Sequence, residues 1–501
     1  MKRIDYKIPG ILLLQFLVFA LMNGFGVLGT DDIYTIHTTS NKLLEVLNLA
    51  IYFEMQAPLY FVLMSVWREI SDTLFWAKMF HYISFSISTL FFYKILRILV
   101  ANKKDIYILL LLFALHSFIY SISNDLRRYS LTLLFAVITL YYFIRIYIQE
   151  DDSKRNHSLL ILVSTIGIFN DYYHSFLLAS LGAGVLFSKN KNKWRYYADM
   201  IIPFIGFLIL LRFIIYQVDS SSDWSISYIK TNLFIASLKH IFILIESQTY
   251  SYLNFGWWPG NLIFRLSLIF GFLFILKKRA FDQYITRNSV LVISAAVMII
   301  FYLMVIVALK STIFLRIHYV AFSFPLIFLC FSLLLASAFK NDLIRIIVVF
   351  GYMAISCVSY YDAYNSYKYN KDLKELSSMV DNELSKQIVF VFNPKNAERI
   401  NYYLDRSDNN IVGVPGELDL AVYDYSARNI ESEEQIRSII ENTILHNDEF
   451  YVIIRRSILE SNAYNSQIMY NYLSNNYKNL SQESYRSFLI LKYRVIAPDI
   501  S

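Results

Sequence analysis

The chain has 501 residues, of which 56% are hydrophobic and only 17% charged, where a soluble chain would carry about 25% charged residues. That deficit excludes an ordinary soluble enzyme and points to a polytopic membrane protein. The net charge of +7 does not signal a nucleic-acid partner, because the basic residues cluster in short loops between apolar runs, the pattern that sets membrane topology.

Lys2, Arg3 and Lys7 precede the first apolar run. No small-residue cleavage site follows it, so it reads as a retained span and not as a signal peptide. A helix needs roughly 20 apolar residues to cross the hydrocarbon core. By that measure the spans fall near 9–28, 74–100, 106–122, 129–148, 159–173, 175–188, 198–217, 261–276, 289–309, 317–338 and 343–360, about eleven in all. The pair at 159–173 and 175–188 is short and fits broken or tilted helices. The two cysteines, Cys330 and Cys357, both lie in apolar runs, which argues against a disulfide framework.

With the N-terminus in the cytoplasm, the clusters at 102–104, 153–155, 189–195, 277–279 and Lys340 all fall inside, as the positive-inside rule requires. The other face then holds the first loop, 29–73, and segments 124–128, 170–174 and 219–252. It also holds Lys310, Arg316 and the tail. Within the first loop, 41–53 has apolar residues at helical spacing (Leu43, Leu44, Leu47, Ile51) and reads as an amphipathic helix along the interface. Segment 230–250 reads as a second, before the Trp257-Trp258-Pro259 anchor.

The tail is a different material. Short apolar runs at 387–392, 410–414, 449–454 and 487–495 alternate with helical patterns near 396–404, 431–446 and 463–473, which predicts a small α/β domain. The expected organisation is a membrane domain over 1–361 and an extracytoplasmic domain over 362–501. Neither a glycine-rich phosphate loop nor a CxxC pair occurs.

The acidic pair Asp31-Asp32 directly follows the first span. A carboxylate within hydrogen-bond reach of a hydroxyl or amine can take its proton as that group attacks, and a second can orient the acceptor or a cation. The same pair also fits a solvated loop. Gln56-Ala57-Pro58-Leu59-Tyr60 follows Glu54. Proline pulls the preceding residue out of helical geometry, so Glu54 and Gln56 flank a chain break, although proline in a first helical turn is also common. Arg127 and Arg128 begin the fourth span, Arg316 begins the tenth, and Arg212 and Arg265 lie inside apolar runs. An arginine at a span centre costs about 2.5–3.5 kcal/mol, so such residues have partners or functions. Several cations on one face suit a phosphate leaving group; pairing with headgroups or loop acids is the plain alternative. Asp171 and His174, within Asn170-Asp171-Tyr172-Tyr173-His174, fit either a sugar site or an interfacial aromatic belt.

These elements in this order resemble the GT-C class of integral-membrane glycosyltransferases, in the bacterial branch related to protein O-mannosyltransferases and aminoarabinose transferases. Asp31-Asp32 is similar to the acidic pair of that class, with Asp where Glu is usual. Gln56-Ala57-Pro58-Leu59-Tyr60 is similar to its His-Pro-Pro-Leu-Tyr element, Arg128-Tyr129 to the Arg-Tyr start of an early span, and Arg316 through His318 to Pro325 to a late Arg-Tyr…Pro span. The resemblance implies an α-helical polytopic membrane protein with a C-terminal α/β domain, in a bacterial inner membrane. It further implies an inverting glycosyltransferase whose sugar donor is linked to a polyprenyl phosphate and whose acceptor is a glycan, lipid or protein. Asp31 would be the base and Asp32 its partner. Glu54, Gln56, Pro58, Tyr60, Arg128, Tyr129, Asp171, His174, Arg212, Arg265, Arg316 and His318 would line the substrates. The resemblance fixes no cofactor and leaves a divalent cation as an option, and Gln56 in place of histidine weakens a metal role at that position. A flippase of lipid-linked saccharides and an O-antigen-type polymerase are the alternatives. The first would place its charges near the midplane, and the second its main outer loop mid-chain.

Overall fold

The computed structural model describes residues 6–21, 26–29, 31–123, 125–187, 193–221, 288–301, 321–338, 342–404, 410–417, 429–444 and 449–496. The expected span at 261–276, the helix at 230–250, Arg265, Arg316 and His318 lie outside them. The chain divides into two compact units, one of residues 1–26 and 38–364, the other of residues 27–37 and 365–501.

The first unit is helical. Its elements are α1 (Lys7–Leu21), α2 (Asp32–Thr39, which straddles the division), α3 (Leu43–Tyr52), α4 (Leu59–Arg68), α5 (Leu74–Leu99), α6 (Lys103–Ala114), α7 (Ser117–Ser123) and α8 (Tyr129–Tyr147). α9 (Lys154–Asn170), α10 (His174–Leu186), α11 (Lys193–Asp199), α12 (Ile201–Ser221), α13 (Asn288–Phe301) and α14 (Phe324–Ala338) follow. Among the described residues, Leu74–Leu99, Lys103–Ser123, Tyr129–Tyr147 and Lys193–Gln217 are long and apolar enough to cross a membrane. α12 leaves Ile202, Phe204, Ile205, Leu208 and Ile209 exposed, an apolar surface that suits lipid and not water.

An aromatic seam holds the centre of this unit. Phe92 of α5 stacks on Phe113 of α6 at 4.0 Å; Phe328 of α14 packs against both, and Phe324 against Phe113. Offset stacks of this kind add stability beyond the area they bury. The span expected over 106–122 falls within Lys103–Ser123, which is interrupted at Leu115-His116 between α6 and α7. The reason is local: His116 Nδ1 accepts the Phe118 N–H at 3.1 Å, so its ring satisfies a donor at the start of α7 that no preceding turn can reach. Near the surface, Trp67 and Trp76 stack at 4.4 Å and each donates its indole N–H to the other's carbonyl, clasping α4 to α5. α3 buries Val46, Ala50 and Ile51 and exposes Leu43 and Leu44, the two-faced character expected of an interfacial helix.

α15 (Asp342–Leu384) runs 43 residues without a break, well past the span end expected at 360. Residues 361–384 contain neither Gly nor Pro, so nothing stops the helix. The division between the units falls within it.

In the second unit a five-stranded sheet has the order β2-β1-β3-β5-β4. The strands are β1 (Ile388–Phe392), β2 (Ile411–Val414), β3 (Glu449–Arg455), β4 (Tyr477–Tyr485) and β5 (Phe488–Val495). β2 and β3 flank β1 in parallel, whereas β5 is antiparallel to both β3 and β4. Residues alternate between two cores. Phe390, Val452 and Leu491 pack with α17 (Glu433–Thr443) and α19 (Ser466–Asn476) through Ile436, Ile440, Met469 and Leu473. Val391, Ile453 and Ile490 pack with α15 and α16 (Pro394–Leu404) through Leu373, Leu376, Val380, Ala397 and Ile400. β1 is buried along its whole length, which explains its unbroken Ile-Val-Phe-Val-Phe run. A short helix, α18 (Arg456–Glu460), follows β3.

Candidate active site

Two polar constellations contain the residues singled out by sequence, one in each unit. In the helical unit the hinge between α3 and α4 is the starting point. The chain leaves α3 with Met55 in the left-handed region (φ 52°). The Glu54 and Gln56 N–H groups donate back to Leu49 and Ala50, so the hinge is closed by its own backbone. Pro58 caps the N-terminus of α4, where a missing N–H costs nothing. This geometry turns the Glu54 and Gln56 side chains toward the start of α8.

There Arg127 pairs with Glu54, and Arg128 donates to the Gln56 carbonyl. The second Glu54 oxygen accepts from Thr38 Oγ1 at 3.3 Å. Arg128 Nε lies 3.5 Å from Asp171. Asp171, extended between α9 and α10 (φ −156°, ψ 118°), accepts from Thr132 Oγ1 at 3.0 Å and from the Tyr173 N–H at 3.1 Å. Asn170 donates to the same Thr132 at 3.0 Å. Gln217 of α12 closes the circle by donating to the Ile51 carbonyl at 2.9 Å. Two guanidiniums and two carboxylates are thus buried with balanced charge. Desolvation makes such a set expensive unless every member is paired.

The remaining sequence candidates in this unit fall around it. Tyr129 is buried, with the Arg128 guanidinium 5.5 Å from its ring centre. Tyr60 is buried and bonded to His81 Nε2 at 3.1 Å, which ties α4 to α5. His174 is buried beside Thr139 Oγ1 at 3.2 Å. A Cβ on Gly167 would lie 2.6 Å from its ring, so α9 has a glycine where the imidazole packs. Arg212 is exposed on α12.

In the second unit, residues 27–37 lie against α16. Lys395, Arg399 and Tyr403 recur every four residues and so share one helical face. Arg399 Nη2 donates to the Leu28 carbonyl at 2.6 Å and to Asn370 Oδ1 at 2.7 Å. The Leu28 N–H donates to Tyr403 Oη at 2.7 Å. Burial pushes the Tyr403 phenol up to about 12, against the opposing pull of Arg399 and the Leu28 N–H. Lys395 Nζ lies 3.2 Å from Asp31 Oδ1 and 4.4 Å from the Tyr34 ring centre. The adjacent aspartates are unlike one another. Asp32 is buried and accepts the Gly29 N–H at 2.7 Å, whereas the Asp31 side chain is 38% exposed.

The sequence sets the outer arginines on the same face as Asp31-Asp32. The structure instead joins Arg127 and Arg128 to Glu54, Gln56 and Asp171, and gives Asp31 a lysine from the tail. Thr132, Gln217, Lys395 and Arg399 have no sequence signal beyond, for the last two, their four-residue spacing, and Asn170 is marked only by the motif it opens. Among the described residues no group of three or more His, Cys, Asp or Glu is gathered to hold a metal ion. Glu54, beside Gln56, has its oxygens engaged by Arg127 and Thr38. The donor set therefore does not fit a cation at the hinge.

Against solved structures, the chain is similar to ArnT from Cupriavidus metallidurans bound to undecaprenyl phosphate. The TM-score is 0.53 at 10% identity, over 96% of this chain and 97% of that one. The apo state of ArnT from the same organism gives a TM-score of 0.54 at 10% identity, over 97% and 98%. No family model and no curated protein matches the chain. The likeness spans nearly all of both chains, so this chain shares the fold of that protein.

Proposed function

We propose that the chain is an inverting membrane glycosyltransferase, moving a sugar from a polyprenyl-phosphate-linked donor to a cell-envelope acceptor on the extracytoplasmic face. The observation that carries this reading is the half-open Asp31 carboxylate beside a buried Asp32, in a fold shared with a protein crystallised with undecaprenyl phosphate. The loop charges support the orientation, with the second unit outside.

In the proposed reaction an acceptor hydroxyl or amine gives its proton to Asp31 as its lone pair attacks the anomeric carbon. The bond from that carbon to the phosphate oxygen breaks, and its electron pair leaves with the polyprenyl phosphate. Asp32 holds the loop that presents Asp31. Arg128 is the cation assigned to the lipid phosphate, since its Gln56 contact is to a neutral amide that a phosphate can displace. Arg316 is assigned the same task, with Arg212 and Arg265 as further candidates.

The test supplies purified protein in vesicles with a polyprenyl-phosphate sugar and a cell-envelope acceptor extract. A new glycosidic bond is expected with the wild type, and its formation is expected to be slower by about 10²–10⁴-fold with Asp31→Asn. Full transfer by Asp31→Asn overturns the assignment, and sugar crossing the vesicle without a new bond replaces the enzyme with a flippase.

A further inference from the structure

We propose that Lys395 is a positioning residue for the acceptor-activating centre, so that the tail contributes to catalysis directly. This inference rests on the reading of Asp31 as the base. Three residues of one α16 face hold residues 28–31, but they hold different things. Arg399 and Tyr403 grip the two backbone groups of Leu28, which fixes where the segment lies. Lys395 alone among them reaches a reacting carboxylate, at 3.2 Å.

Its placement is costly. The Lys395 side chain is 1% exposed, and a buried ammonium must be compensated by an opposite charge. A methionine of similar volume would fill the space without that demand. Packing therefore does not call for a lysine here, whereas orienting a carboxylate does. The ammonium fixes one oxygen of Asp31 and sits over the Tyr34 ring at 4.4 Å, which favours a cation at that place. With one oxygen anchored, the rotation of the carboxylate about its own bond is set before an acceptor arrives. Such preorganisation shortens the search for a reactive geometry.

The experiment uses the full-length protein in vesicles and the transfer assay above. Lys395→Met is expected to lower kcat on the order of tenfold or more, with the donor KM unchanged and Lys395→Arg recovering part of the loss. In thermal unfolding, Asp31→Asn is expected to melt below the wild type, and Asp31→Asn/Lys395→Met to melt above Asp31→Asn, because removing both partners removes the uncompensated charge. If Lys395→Met keeps wild-type kcat while Asp31→Asn slows transfer by about 10²–10⁴-fold, the inference fails and the function stands. If kcat falls together with the melting temperature and Lys395→Arg restores neither, Lys395 serves folding and the inference is overturned. Wild-type transfer by Asp31→Asn sinks the reading of the base itself, and the unfolding comparison still reports on the pair.

Discussion

The two polar constellations contain the same chemical groups and use them oppositely. Around the α3–α4 hinge, Glu54, Arg127, Arg128 and Asp171 are all buried, and both carboxylates are engaged by protein groups. Against α16, Asp31 has a buried cation on one side and solvent on the other. A closed set balances charge within a low-dielectric unit, where an unpaired ion is most expensive. A half-open carboxylate keeps an approach for something that is not protein. The difference is one of access: the hinge carboxylates are enclosed by protein groups, whereas Asp31 keeps an open side, although all are ionisable residues of the same few types.

The largest effect should come from the open side. Asp31→Asn is expected to reduce transfer by about 10²–10⁴-fold, the usual contribution of a general base, measured as initial rate on a defined acceptor. Comparable rates for Asp31→Asn and wild type would erase the contrast. On the closed side, Glu54→Gln leaves Arg127 without its carboxylate and is expected to cost about 3–5 kcal/mol of stability, read as early unfolding in detergent. The double change Glu54→Gln/Arg127→Met should recover much of it. A neutral outcome for Glu54→Gln would mean that the pair is not the buried clamp described.

Within the acidic pair, Asp32→Asn keeps an acceptor for the Gly29 N–H, so it should slow transfer by roughly tenfold or less, well short of Asp31→Asn. A loss as deep as that of Asp31→Asn would make the two aspartates equal and remove the division of labour between them. The smallest effect is expected far from both sites. Glu449 bridges Lys492 and Arg494 on β3 and β5, and these cations hold its carboxyl below the usual range. A depressed carboxylate contributes stability above its unfolded-state value and loses it as pH falls through the folded one. Glu449→Gln should therefore melt slightly below wild type at neutral pH and match it in acid, with transfer unchanged. Exposed pairs contribute little, so a large shift would contradict the surface position of this bridge.

The same contrast explains what could be read from sequence. The fully buried β1 announces itself as five consecutive apolar residues, and the strands at 411–414, 449–455 and 488–495 have similar signatures. β4 is an edge strand of mostly polar residues, Tyr-Lys-Asn-Leu-Ser-Gln-Glu-Ser-Tyr. It owes its conformation to pairing with β5, not to a hydrophobic face, and a polar edge is how sheets avoid unwanted partners. No pattern search could have found it. The break at His116 was equally silent, because histidine is not an ordinary cap residue and its role depends on one ring nitrogen. Pro58, by contrast, marked the hinge correctly through a local steric rule. For the site, the residue types and the segments were legible, but the pairings were not. Charge and spacing cannot decide that Arg128 meets Gln56, or that a lysine in the tail meets Asp31.

That last pairing has a consequence for how the molecule comes into being. Asp31 and Lys395 are 364 residues apart. At synthesis rates of about 5–20 residues per second, the aspartate waits roughly 20–70 s for its partner. Throughout that interval the membrane helices can be inserted and packed while the acidic pair still lacks the helix that orders it. A chain that stops before residue 395 therefore has Asp31 without this ammonium, and on the proposed reading it would transfer sugar at a reduced rate.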